Sequence, residues 1–245
     1  MEMAGIRRFS VVVLLTLVCA TSYGQITTGT ILFERKTNLK KQLGDNPRAK
    51  QFITEENKIR IEQFELHFND SMAAFLPVES DEEEAGMMKY FTTRNSVYQD
   101  LSKDEKMTVM DLWGNETYLK GEMSGRSWKV TESKRKIGGY LCRKAIWEMN
   151  DSTRIYAWFS VDIVPPVGPE GFSGLPGTIL GLATENGGVI YFAKSVSLIA
   201  PKPELLTTDP GKKDVYTKPE LRELLEEKMG KWMKKSDFDG MFSWL

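Results

Sequence analysis

Redox and metal chemistry have little to work with in this chain, which holds two cysteines, Cys19 and Cys142, and a single histidine, His67. One His without Asp-His or Cys-His spacing supports neither a familiar zinc site nor a Ser-His triad. Neither sign of charge dominates, with 33 Lys plus Arg against 34 Asp plus Glu, so no field marks a nucleic-acid or anionic-membrane partner. There is no Gly-x-Ser-x-Gly elbow and no pair of acids at a defensible catalytic spacing. The one long apolar run, residues 9–18, is about half the ~20 residues a membrane-spanning helix needs.

That short run has another reading. Arg7 and Arg8 form a positive n-region, residues 9–18 an apolar h-region, and Ser22-Tyr23-Gly24 small-residue cleavage positions, so residues 1–24 are expected to be a signal peptide removed before Gln25. Val18 stands where a lipidated Cys19 would need Ala, Gly or Ser, which favours general secretion. The exported chain would keep Cys142 as its only thiol, unable to form an internal disulfide and expected to be buried as a small hydrophobe.

Residues 25–200 read as one antiparallel β domain. Residues 25–38 are rich in β-branched side chains, and a turn with a short helix is expected within 39–58. In 59–69, Phe64, Leu66 and Phe68 alternate with Glu65, His67 and Asn69, placing His67 on a solvated or edge face. The acidic run 79–84 lacks the ligand spacing and turn glycine of a calcium loop. Short strands follow over 87–101, 106–113, 115–120 and 127–132, with Trp113-Gly114-Asn115-Glu116 as a tight connection. Residues 136–150 and 154–163 make a long hairpin whose Trp147 and Trp158 are placed to meet across strands. Residues 178–184 and 189–199 form a closing hairpin around Asn186-Gly187-Gly188. Residues 201–245 are a polar linker followed by an amphipathic helix over 219–234, with Thr217 as cap and Pro219 in its first turn. This helix is expected to cover a sheet edge.

Between the two hairpins lies the stretch DIVPPVGPEGFSGLPGTILGL, residues 162–182. Pro165 and Pro166 stop the preceding strand, and Gly168, Pro169, Gly174, Leu175, Pro176 and Gly177 set a chain reversal. Gly174 and Gly177 are needed for positive φ or for a close backbone, and spacing does not choose between the two. With Gly139-Tyr140-Leu141-Cys142-Arg143-Lys144-Ala145 upstream and Trp158, Ile163, Pro165 and Pro166 between, the pattern resembles the GLPGLI family of exported proteins of the Bacteroidota. Departures are Thr178 in place of Leu, Phe159 in place of Tyr, and an extra Val164. The match covers residues 137–199, and the resemblance implies no particular activity.

The expected architecture is mainly β (α+β): a curled antiparallel sheet or half-barrel with one or two helices, analogous to periplasmic lipoprotein carriers. The functional expectation is an exported, non-enzymatic envelope module for an apolar small molecule or an outer-membrane or periplasmic protein. Phe172, Leu175, Trp147 and Trp158 are the candidate binding residues, with no cofactor or metal. Alternatives are a hydrolase, or a copper handler drawing on Cys142, His67, Met229, Met233 and Met241.

Overall fold

The computed structural model describes residues 24–43, 51–79, 92–123, 125–150, 153–231 and 235–245. The segment expected to be a signal, through residue 23, residues 44–50, most of the acidic run, the start of the strand expected at 87, residues 151–152 and Met233 lie outside them. The strands are β1 (Gly29–Asn38), β2 (Ile59–Phe68), β3 (Met72–Pro77), β4 (Ser96–Asp100), β5 (Glu105–Leu112), β6 (Asn115–Glu122), β7 (Lys129–Ile137), β8 (Tyr140–Asn150), β9 (Thr153–Ser160), β10 (Thr178–Thr184), β11 (Val189–Ser197) and β12 (Val215–Tyr216). The helices are α1 (Leu39–Leu43), α2 (Lys218–Met229) and α3 (Lys235–Trp244).

These strands form one sheet in the order β12-β6-β5-β4-β3-β2-β1-β11-β10-β9-β8-β7. From the central β1 the chain meanders outward to β6; β7 then starts at the opposite edge, and the chain meanders back to β11, which pairs with β1. The length of one connector makes the sheet curl. In a flat sheet β6 and β7 would lie roughly 48 Å apart at the usual strand spacing. The connector from Glu122 to Lys129 reaches only about 25 Å even when fully extended. The edges therefore approach without pairing, and the result is an open, curled sheet, antiparallel except where the short β12 pairs in parallel with β6.

Period-2 alternation fills its inner face. Ile31 and Phe33 of β1, Phe64, Leu66 and Phe68 of β2, and Phe75 of β3 are all buried. Phe64 stacks on Phe75 at 4.9 Å, and the Tyr191 ring meets both edge-on at 6.0 and 5.9 Å. On the far side, Val97 and Gln99 of β4, Lys106, Thr108 and Met110 of β5, and Leu119 of β6 line the same face. Leu221 and Leu225 of α2, with Phe238 and Phe242 of α3, pack onto Met110 and Leu119. The Glu220 carboxylate ties down the start of α2 by accepting the Thr217 N–H and hydroxyl at 2.8 and 2.7 Å.

Several expectations change. The segment 136–150 is not one strand: Gly138 and Gly139, at φ 57 and 93, make the two-residue turn between β7 and β8. β3 was hidden in a short Ala-containing run, and the Asn69 side chain opens its hairpin by accepting the Ser71 and Met72 N–H groups at 2.9 and 2.7 Å. His67 is buried, not solvated: unlike Ile61 on the same face of β2, it lies near the end of the strand, and the Pro203–Leu206 turn packs on β2 and β3; Thr30 and Glu65 lie 3.0 and 3.1 Å from its ring nitrogens. Burial pushes its pKa down against the opposing pull of Glu65. The C-terminal helix is two helices, separated after Met229. Cys142 is buried as expected, its Sγ 3.6 Å from the Tyr140 carbonyl oxygen, and burial raises its pKa to about 11.

Candidate functional site: the filled inner face of the sheet

The corner between β9 and β10 crosses the inner face of the curl. Val167, Phe172 and Leu175 are buried, and a β-carbon at Gly171 would stand 2.8 Å from Val97 Cγ1 and 3.1 Å from Lys106 Cδ. The corner thus lies against β4 and β5, across the interior from the strands it joins. Gly177 resolves the sequence ambiguity in favour of both causes: its φ is +134, and a β-carbon there would fall 2.1 Å from the Ser160 carbonyl oxygen.

One charged group holds the middle of this corner. Glu170 occupies a left-handed conformation at φ 55, ψ 22, uncommon for a side chain of its size, and its carboxylate is buried. It accepts the Tyr191 hydroxyl at 2.5 Å and lies 3.5 Å from Arg35 Nη1. Arg35 Nε and Nη2 donate to Glu62 Oε2 at 3.0 and 2.6 Å, and Nη1 donates to the Thr93 carbonyl at 2.8 Å and to the Tyr191 oxygen at 3.2 Å. Glu62 Oε1 receives the Thr92 hydroxyl at 3.2 Å and lies 3.2 Å from Arg60 Nε. Burial raises the pKa of Glu170 against the opposing pull of Arg35 and the Tyr191 hydrogen bond. Burial, then the Glu170 charge, raises that of Tyr191. Arg35, Glu62, Glu170 and Tyr191 are all buried, and this network ties the corner to β1, β2 and β11.

Beside it, at the open edge, lies an aromatic slot. Trp128, on the connector between β6 and β7, donates its indole N–H to the Ser173 carbonyl at 2.9 Å. The Phe172 ring lies 6.4 Å from Trp128, 6.1 Å from Trp147 and 5.0 Å from Trp244 at the end of α3. Arg126 stacks its guanidinium 4.1 Å over Phe172 and 5.2 Å over Trp147. Lys106 Nζ donates to the Leu245 main-chain oxygen at 2.5 Å. Burial, then the Arg126 and Lys218 charges, lowers the Lys106 pKa to about 8, and burial lowers that of Arg126 to about 10.

Of the residues singled out from sequence, Phe172 and Trp147 come together here. Leu175 is buried in the same core, so as folded neither it nor Phe172 presents a surface. Trp158 does not meet Trp147. Its cross-strand partner is Lys144, whereas that of Trp147 is Ile155, so the two indoles face opposite sides of the sheet. Trp158 instead meets Phe192 at 5.8 Å, with Arg135 5.3 and 5.0 Å over the two rings. Glu170, Arg126 and Lys106 were missed. The visible hint for Glu170 was an acid between Pro169 and Gly171, in a corner otherwise built of apolar and turn residues.

Among the described residues no three His, Cys, Asp or Glu side chains converge to hold a metal ion, and no helix is long and apolar enough to cross a membrane. Two small recesses, of about 180 and 210 Å³, share Met72, Leu206 and Thr207; the first also touches Lys106, and neither is lined by Phe172, Trp128, Trp147 or Trp244.

No family model matches the chain, and no curated protein matches it. Among solved structures, PNGF-II superposes with a TM-score of 0.51 at 17% identity, over 78% of this chain and 31% of the PNGF-II chain. A second crystal form of PNGF-II gives a TM-score of 0.49 at 18% identity over the same shares. An uncharacterized conserved protein from Thermus thermophilus gives 0.41 at 6% identity, over 84% of this chain and 98% of that one. This chain spans less than a third of PNGF-II, and at such identity the first likeness speaks for a shared fold alone.

Proposed function

We propose that this protein is an exported cell-envelope binding module without catalytic chemistry, which takes an apolar segment of an envelope partner, or a small apolar molecule, into the aromatic slot of its curled sheet. One observation carries this reading: the Phe172 ring is met by three indoles from separate elements, Trp128, Trp147 and, at the end of α3, Trp244. An aromatic cluster closed by a side chain from a separate element offers a ligand a large contact area once that side chain moves aside. The signal-like N-terminus and the resemblance of residues 137–199 to the exported GLPGLI proteins support the location.

Two measurements test it. N-terminal sequencing of protein recovered from the envelope fraction should begin at Gln25; a chain that keeps Met1 and stays in the cytoplasm defeats the export half. Native mass spectrometry of that protein should show a bound peptide or small molecule that is lost in Trp147→Ala. A mass equal to the bare polypeptide in both, with no partner recovered by cross-linking in cells, defeats the binding half.

A further inference from the structure

Charge that cancels over the whole chain does not cancel at one hairpin. Residues 129–144 hold six Lys or Arg and a single acid, Glu132, which lies 3.7 Å from Arg143. One face of the β7–β8 tip is packed down on the sheet. Arg135 lies 5.0 Å over Phe192 and 5.3 Å over Trp158. A β-carbon at Gly181 of β10 would stand 3.1 Å from Ile137 Cδ1, and one at Gly138 would stand 3.5 Å from Ala193 and Val196 of β11. Alternation turns Lys134, Lys136, Leu141 and Arg143 the other way, with Lys136 opposite Leu141 and Lys134 opposite Arg143. All four are exposed, and neither lysine has an ion-pair partner among the described residues. Lysine on an edge strand discourages edge-to-edge pairing, but that role asks for no apolar residue beside it.

Apolar side chains nevertheless gather there. Ile199 is 79% exposed, and Leu141, Val161 and Leu198 are each more than half exposed. They share one end of the sheet, where β8 begins and β9 and β11 finish. The Ile26 N–H donates to the Asp162 carbonyl at 3.1 Å and Thr30 pairs with Ser197, which sets the end of β9 and the end of β11 on either side of the same segment. The four side chains project from three separate stretches of chain, which a planar layer can meet together. A second copy of this chain would set lysine against lysine. We propose that this end of the sheet docks the protein on an anionic lipid membrane. Leu141, Val161, Leu198 and Ile199 enter the interfacial layer, and Lys134, Lys136 and Arg143 meet the lipid phosphates. The contact is separate from the aromatic slot and does not depend on it.

Co-sedimentation of the purified protein with vesicles of phosphatidylcholine alone, and of phosphatidylcholine mixed equally with phosphatidylglycerol, tests this. Binding to the anionic vesicles should be about tenfold or more stronger and should weaken as salt rises. Lys134→Gln with Lys136→Gln should lose about tenfold or more of it, since each Lys near an anionic surface contributes about fivefold. Lys134→Arg with Lys136→Arg should keep it. Leu141→Ser with Ile199→Ser should lose about fivefold or more. Ile61→Ser, comparably exposed on β2, and Lys228→Gln with Lys231→Gln, exposed at and after the end of α2, should bind as the parent does. The altered side chains are all exposed, so melting temperatures should stay near the parent's. Parent and variants share one N-terminus, so the apolar run 9–18 contributes alike to each. Equal binding to the two vesicles, binding to neither, or sheet-end variants that bind like the parent overturns the proposal. A parent that ignores both vesicles but cross-links in cells to a protein through Lys134 or Lys136 overturns it too, and assigns the surface to that protein.

Discussion

Glu62 sits where the interior's charge balance is decided, because Arg35 and Arg60 both lie against its carboxylate in a place with little water. Removing one partner of such a pair leaves a buried charge uncompensated, so Glu62→Gln should lose roughly 3–5 kcal/mol in urea denaturation. Lys106 supplies a pH signature. Its folded pKa of about 8 lies below the ordinary 10.5, so between those values the folded state binds fewer protons than the unfolded state. Stability should therefore rise with pH across that window, and Lys106→Met should flatten the rise. Glu170 acts in the opposite sense. Its pKa is raised, so just above the ordinary 4.5 the folded state binds more protons, and stability should rise as pH falls toward 4.5, an effect absent in Glu170→Gln. Gly177→Ala combines a positive φ with a backbone clash and should cost on the order of 3 kcal/mol. None of these charge roles was legible in the chain. Local pattern marks Lys106 as one polar residue in a strand, and only the corner, folding back from far along the chain, buries it.

At the scale of elements, local chemistry spoke clearly where it was sufficient. The Trp113-Gly114 turn, with both residues at positive φ, the strand 178–184, and the Thr217 start of α2 follow from residues adjacent in sequence. The hidden Gly138-Gly139 turn was equally local but lay inside a long alternating run that outweighed it. β12 had no local signal, since its two residues pair in parallel with Tyr118 and Leu119, far earlier in the chain. The stripe of Leu221 and Leu225 was legible, and it joins α2 to the inner face of β5 and β6. Leu221→Ala or Leu225→Ala should cost roughly 2–5 kcal/mol. Hydrogen exchange should then quicken in α2 and α3 before it does in β1 and β2.

Across the whole molecule, the curl follows from a short connector joining opposite edges of the sheet, and the corner and the two C-terminal helices fill what the curl encloses. The fold class was readable because a run of turn-separated, alternating strands permits few architectures. The site was only half readable: Phe172 and Trp147 were named from sequence, while the element that faces them, the end of α3, is joined only by folding. The most direct test is the fluorine spectrum of protein labelled with 5-fluorotryptophan and titrated with a neutral apolar probe, 3-phenylpropanamide. Resonances of Trp128, Trp147 and Trp244, assigned by single Phe substitutions, should move together, while those of Trp113 and Trp158 stay in place. Shifts confined to Trp113 or Trp158, or no shift in the three slot residues at saturating probe, would contradict the placement of binding in this slot.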